Sequence, residues 1–181
     1  NWLLRRIRRW TLPKIFPPKE HTAAHMLIQL ANHEVGAAVR VGGLRHWEAV
    51  RGGMADRHGF DGDGWGVHIE GALGEMAAAK ALNIYWDGSV NTFKAHDLVG
   101  IQVRTRSRND YELIVRPSDD DDAAWVLVTG KHGTYNVRGW IRGKDAKRDE
   151  WLRTHGQRPP AYFVPHAALL PIEGLRMKEA A

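Results

Sequence analysis

The sequence predicts an α/β domain with an N-terminal helical extension, and two observations predict this fold class. Apolar residues recur at helical spacing up to about residue 82. After residue 83 the pattern becomes extended, and short segments rich in β-branched and aromatic residues are separated by turn residues. At 181 residues the chain is long enough for one domain with a substantial core.

Three segments are expected along the chain. Residues 1–20 form a basic amphipathic arm, residues 21–70 a helical extension with a glycine-rich loop, and residues 71–181 the α/β core. A helical arm would place Leu3, Ile7 and Trp10 on one face. Its remaining surface would carry four arginines, namely Arg5, Arg6, Arg8 and Arg9. This pattern suits an arm on nucleic acid, a membrane-surface helix, a docking peptide for another protein, or a terminal helix packed on its own domain.

Three helices are predicted before the strands. The first covers residues 22–39, and Gly42-Gly43 is expected to end it. A shorter helix is predicted for residues 44–51, followed by a glycine-rich loop over residues 52–66. The third helix, at about residues 72–82, is rich in alanine and carries Glu75.

The strands follow in the second half of the chain. Extended segments are predicted at residues 92–97, 101–106, 112–116, 125–129 and 135–141. The run at 125–129 is almost continuously apolar, which is typical of a central strand covered on both faces. Residues 130–133 read Gly-Lys-His-Gly, which predicts a hairpin turn. The remaining elements expected are a helix around 146–154, a short strand at 161–164 and a turn or short helix at 169–177.

Composition narrows the function classes. The chain has no cysteine, which excludes disulfides and thiolate zinc sites. No apolar run approaches the length of a membrane span, so a cytoplasmic location is expected. Lys and Arg exceed Asp and Glu by 26 − 21 = 5, and the sequence pI is about 9.7. This balance favours an anionic partner such as nucleic acid.

The candidate site combines polar residues from a helix and a strand. In a strand over residues 101–106, Gln102, Arg104 and Arg106 share one face, which we expect to carry the chemistry while the other face is core. Asp97 lies five positions before Gln102, and Glu75 lies on the preceding helix. Clustered oxygen ligands of this kind suit a hard divalent cation. The alternative is an ordinary α/β domain with Glu75 exposed, Asp97 in a turn and Arg104 as a strand-face charge.

The order of helical Glu75, Asp97 and the Gln102-x-Arg104 strand resembles the PD-(D/E)xK superfamily of restriction-endonuclease-like proteins. The resemblance is to small phage and bacterial nuclease-like members and covers roughly residues 71–175. It implies a mixed β-sheet flanked by helices and cleavage of DNA with Mg²⁺ or Mn²⁺. It also implies that Glu75, Asp97 and Gln102 hold the metal while Arg104 stabilises the phosphate. Glutamine and arginine replace the usual acidic residue and lysine, and a guanidinium cannot act as a base.

Two other functions stay open. The first is a protein of the same fold that binds nucleic acid without cleaving it. Besides Arg104, the arginines expected to contact phosphates are Arg5, Arg6, Arg8, Arg9, Arg106 and Arg108. The second is a structural or interaction component of a phage or host complex, docked through the N-terminal arm. DNA is favoured over RNA as the nucleic acid, and a homodimer is compatible with the sequence.

Overall fold

A computed structural model of the chain describes residues 25–53, 64–90, 97–98 and 100–175. Within these ranges two long helices pack on one face of a four-stranded mixed sheet. A second, three-stranded sheet packs on its opposite face. The predicted α/β class is therefore confirmed, whereas the N-terminal arm lies outside the described residues.

The first half of the described chain contains β1 (Met26–Gln29), α1 (Asn32–Arg51), α2 (Gly64–Leu82), β2 (Ile101–Arg106) and β3 (Leu113–Val115). The second half contains β4 (Ala124–Lys131), β5 (Thr134–Arg142), α3 (Gly143–Ala146), β6 (Leu152–Arg153) and β7 (Ala161–Val164). Two 3₁₀ turns, Asp149–Trp151 and His166–Ala168, flank the last two strands. No helix in the described ranges is both long and apolar enough to cross a bilayer.

The main sheet has the strand order β1-β5-β4-β2. β5 runs antiparallel to both β1 and β4, whereas β2 and β4 are parallel. β4 is thus central and buried on both faces, as predicted. The predicted hairpin turn is also confirmed, because Lys131 pairs with Thr134 and leaves His132 and Gly133 as a two-residue loop with positive φ.

The helix predicted over residues 22–39 is wrong at its start. Met26–Gln29 forms β1, whose pairing with β5 overrides the helical spacing, and α1 begins only at Asn32. Gly42-Gly43 does not end the helix, so the predicted helix at 44–51 is the second half of α1. A Cβ at Gly42 would lie 2.5 Å from the Cα of Ile69. The glycine is required there because α2 crosses α1 at close range.

The structure also bears on the predicted glycine-rich loop, the strand at 92–97 and the helix around 146–154. α2 begins at Gly64, so the end of the predicted glycine-rich loop is helical. The predicted strand at 92–97 falls almost wholly on residues outside the described ranges, and Asp97 lies in a bend. The helix predicted around 146–154 is wrong, because α3 ends at Ala146 and β6 pairs with β7. Tertiary pairing overrides local helical preference in that segment.

Two apolar cores cover the two faces of the main sheet. On the helical face, Ile101 and Val103 of β2 pack with the alanine-rich α2. On the other face, Trp125 and Leu127 of β4 pack with β3 and β7. Ile101 and Val103 thus confirm the predicted core face of β2, whereas Gln102, Arg104 and Arg106 on its other face are only partly buried.

Candidate functional site

Glu75 is a buried carboxylate on α2, with only 6% of its surface exposed. Arg45 of α1 donates to it through two nitrogens, with Nη1–Oε1 at 2.5 Å and Nη2–Oε2 at 3.0 Å. The indole nitrogen of Trp86 donates to Oε2 at 3.2 Å. The alternative in which Glu75 is exposed is therefore wrong.

All three nitrogens of the Arg45 guanidinium donate hydrogen bonds to its neighbours. Its Nε donates to the backbone oxygen of Ser89 at 2.9 Å, in addition to the two bonds to Glu75. Burial and the charge of Asp97 raise the pKa of Glu75 above its usual value, although the donors Arg45 and Trp86 oppose this. Burial acts to lower the pKa of Arg45, but the carboxylates around it raise that pKa overall. Arg45 is thus a permanent cation in an acidic pocket.

Asp97 lies at the outer edge of β2. Its Oδ2 accepts a hydrogen bond from the backbone N–H of Val103 at 2.7 Å, while the other edge of β2 pairs with β4. Asp97 and Glu75 line the same cavity of about 630 Å³ between α2 and β2, together with Glu70. The structure therefore brings together two of the predicted metal ligands.

Gln102 and Arg104 lie on the opposite face of β2. Their register partners are Trp125 and Leu127, which belong to the core beneath the second sheet. The Arg104 guanidinium stacks 4.4 Å from the centroid of the Trp125 ring, and its Nη2 donates to Asp119 at 3.1 Å. Its Nε is buried without a hydrogen-bond partner in the described part of the chain. The Arg104 guanidinium is therefore engaged away from Glu75, although Arg104 also borders the cavity that Glu75 and Asp97 line.

The described residues do not fit a divalent cation in this arrangement. Both oxygens of Glu75 already accept N–H donors, one oxygen of Asp97 accepts the Val103 N–H, and Gln102 lies across the strand. Mg²⁺ and Mn²⁺ need several oxygen ligands directed at one point. Among the residues that the structure describes, no three His, Asp or Glu side chains form a group that could hold a metal ion.

A second cavity, of about 370 Å³, is cationic and lies between the end of β2 and the second sheet. Its charged and aromatic lining residues are Arg106, Arg116, Arg158, His155, Tyr111 and Phe163. Of the predicted phosphate contacts, Arg106 stacks on Tyr111 at 4.7 Å and lines this cavity as well as the acidic one. Arg108 also lies over Tyr111, and its guanidinium binds the exposed Asp110. Arg5, Arg6, Arg8 and Arg9 lie outside the described residues.

Sequence reasoning missed several residues of both sites. Arg45 lies thirty residues before Glu75, and no local pattern relates the two. Asp119 belongs to a run of four aspartates, and it accepts hydrogen bonds from Arg104 and from the backbone N–H of Arg116. Arg158 lies in a segment without a motif. The unusual run of four acidic residues was the one signal that could have suggested a partner for Arg104.

Comparisons with known sequences and structures found no relative of the chain. Protein-family models, curated proteins and solved structures gave no match to the chain. The two cavities and their charged residues are therefore the basis for assigning a function.

Proposed function

We propose that the chain is a restriction-endonuclease-like α/β protein that binds nucleic acid, with DNA favoured, and does not cleave it. The observation that carries this proposal is the Arg45–Glu75 pair. The superfamily resemblance expects a metal ion beside Glu75 and Asp97, and the Arg45 guanidinium supplies the positive charge there instead.

The ion pair with Arg45 disfavours the binding of a metal ion at Glu75. A divalent ion would have to displace Arg45 from both oxygens of Glu75 and leave its charge partly buried beside a dication. Breaking a buried ion pair in this way costs about 3–5 kcal/mol before any repulsion is counted. Arg45 also binds both oxygens of the carboxylate at once, and this bidentate arrangement competes well with metal ligation.

The position of Arg104 supports the same conclusion. In the nuclease mechanism implied by the resemblance, Arg104 stabilises the phosphate on the side where the metal activates water. Its guanidinium is instead held by Asp119 and Trp125 on the other face of β2. Arg104 borders the cavity that contains Asp97, but a phosphate there would have to draw its guanidinium away from Asp119.

Nucleic-acid binding is supported by charge. The chain carries a net charge of +5, and Arg106 and Arg158 line one cavity. Arginine contacts to phosphates release counterions, which gives binding that depends strongly on salt and little on sequence. Such binding needs neither a metal nor the Glu75 cavity.

The test uses the full chain with labelled DNA oligonucleotides, measured by fluorescence anisotropy at several salt concentrations and by a cleavage assay. We expect binding that weakens linearly in log–log form with salt, and no cleavage with Mg²⁺ or Mn²⁺. Cleavage that needs the metal and is lost in Asp97→Asn, but kept in the exposed control Asp110→Asn, would overturn the proposal.

A metal-dependent nuclease is the second candidate. Glu70, Glu75 and Asp97 line one cavity, which is the acidic setting that such an enzyme needs. This function requires Arg45 to leave Glu75 when substrate binds. It predicts that Glu75→Gln abolishes Mn²⁺-dependent cleavage.

A further inference from the structure

Arg106 and Arg158 of the cationic cavity form no ion pair with a carboxylate in the described part of the chain. The Arg106 side chain is half-buried, and its guanidinium makes no ion pair or hydrogen bond with other described residues. The charge of Glu112 acts on Arg106, but the hydrogen bond that its carboxylate accepts, at 2.8 Å, comes from Arg153. Half-burying a guanidinium without a counterion is unfavourable, so this position suits an external anion.

The stacking of Arg106 on Tyr111 orients its donors. The guanidinium carbon lies 4.7 Å from the Tyr111 ring centroid. The face of the planar guanidinium therefore contacts the ring. Its N–H donors lie in the plane of the guanidinium and stay available for an acceptor. A planar donor edge held in this way is pre-organised for two phosphate oxygens.

Arg158 adds a second positive charge to the same cavity. Burial lowers the pKa of Arg106, and the nearby charge of Arg158 lowers it further. Arg158 is largely exposed, and its side chain too forms no ion pair within the described residues. Two like charges that face one cavity repel each other, and a bound anion relieves the repulsion.

We propose that this cavity is a phosphate-binding site, in which Arg106 holds two phosphate oxygens in its plane and Arg158 neutralises the remaining charge. The cavity volume of about 370 Å³ admits a phosphate with an attached sugar or base, and the aromatic lining of Tyr111 and Phe163 suits the latter. The choice of a nucleic-acid strand as the source of the phosphate rests on the proposed function. A free nucleotide offers the same chemistry.

The experiment compares single-charge variants of the full chain. Arg106→Gln and Arg158→Gln each remove one charge from the cavity, and Arg148→Gln removes one from an exposed arginine outside its lining. Each variant is titrated with single-stranded dT₁₂ by anisotropy, and with dTMP and inorganic phosphate by calorimetry. Circular dichroism checks folding, and the exposed position of Arg158 keeps the test valid if Arg106→Gln fails to fold.

We expect both cavity variants to weaken dT₁₂ binding by about tenfold or more, because each removes a charge-assisted hydrogen bond. Arg148→Gln should change it by less than about threefold in physiological salt, where distant charges are screened. Arg106→Lys should restore only part of the affinity, since an ammonium keeps the charge but not the planar donor pair.

The outcomes separate this site from the proposed function. If the wild type binds dT₁₂ and the cavity variants match Arg148→Gln, the phosphate site is overturned and nucleic-acid binding stands. If dT₁₂ does not bind but dTMP or phosphate binds through Arg106 and Arg158, nucleic-acid binding fails and the phosphate site stands. Binding of none of the three probes overturns both.

Discussion

Arg45 and Glu75 join the two long helices through two parallel hydrogen bonds at 2.5 and 3.0 Å. The pair lies between α1 and α2 and beside Asp97, so one contact serves both helix packing and the electrostatics of the acidic cavity. Its removal should therefore affect stability and ion binding separately, and the two effects can be measured apart.

Arg45→Met should lower the free energy of unfolding by about 3–5 kcal/mol, because it leaves a buried carboxylate without its cation. The double variant Arg45→Met/Glu75→Gln should recover part of this loss. The control Arg51→Met breaks the exposed pair with Glu48 and should cost at most about 1 kcal/mol. Urea denaturation followed by circular dichroism measures all three. Equal losses in the two single variants would contradict the role assigned to Arg45.

Removal of Arg45 should also create affinity for a divalent ion. In Arg45→Gln the cavity keeps Glu75 and Asp97 without the guanidinium that occupies the oxygens of Glu75. Mn²⁺ binding, followed by electron paramagnetic resonance, should be stronger than in the wild type and should fall again in Arg45→Gln/Asp97→Asn. Wild-type protein that binds Mn²⁺ as tightly as Arg45→Gln would show that the guanidinium does not compete with metal.

Two glycines of α2 offer a matched test of helix–sheet contact. A Cβ at Gly74 would lie 2.8 Å from the Cβ of Thr105 on β2, whereas a Cβ at Gly71 would meet no atom within 4 Å. Gly74→Ala should destabilise the protein by about 1–3 kcal/mol through overpacking. Gly71→Ala should instead stabilise it by up to about 1 kcal/mol through helix propensity. Thermal unfolding distinguishes the signs, and a stabilised Gly74→Ala would refute the close contact of α2 with β2.

Tyr135 should make stability depend on alkaline pH. Burial and a 2.5 Å hydrogen bond donated to Glu70 raise the pKa of its hydroxyl above the ordinary value of 10.0. Above that pH the unfolded state loses the proton while the folded state keeps it, so stability falls by up to about 1.4 kcal/mol per pH unit. Tyr135→Phe should remove this slope between pH 10 and about 12, and should cost about 1–3 kcal/mol at neutral pH. Tyr85→Phe, at an 88% exposed tyrosine, is the control.

The arginine-rich arm can be tested by deletion of residues 1–18. If the arm contacts phosphates, nucleic-acid affinity should fall equally for all sequences. The slope of log K against log salt should flatten by up to roughly four units, one for each of its arginines. Unchanged binding together with loss of a protein or membrane partner would identify the arm as a docking element.

Local patterns predicted the strands well. The bounds predicted for β2 and β7 match the structure. Both strands were recognised from the order of apolar and polar residues within the segment itself. β1 was missed because a four-residue edge strand owes its conformation to β5. Gly42 was misinterpreted since a glycine that ends a helix and one that allows a close helix crossing look alike in sequence.

The candidate site was predictable only in part. Alternation along β2 correctly placed Gln102 and Arg104 on one face, but it does not determine which face meets the helix that carries Glu75. That assignment depends on the packing of both sheet faces. The pairing of Arg45 with Glu75 depends on how two helices cross, which no spacing in the sequence encodes.

The pairing of β1 with β5 also has a consequence for synthesis on the ribosome. Met26 lies opposite Val137, so 137 − 26 = 111 residues separate the two partners along the chain. At translation rates of about 5–20 residues per second, β1 waits roughly 6–22 s before its partner strand is made. β1 can therefore join the main sheet only after the β4–β5 hairpin has emerged. Until then the segment is unpaired, and we expect chaperones to bind it.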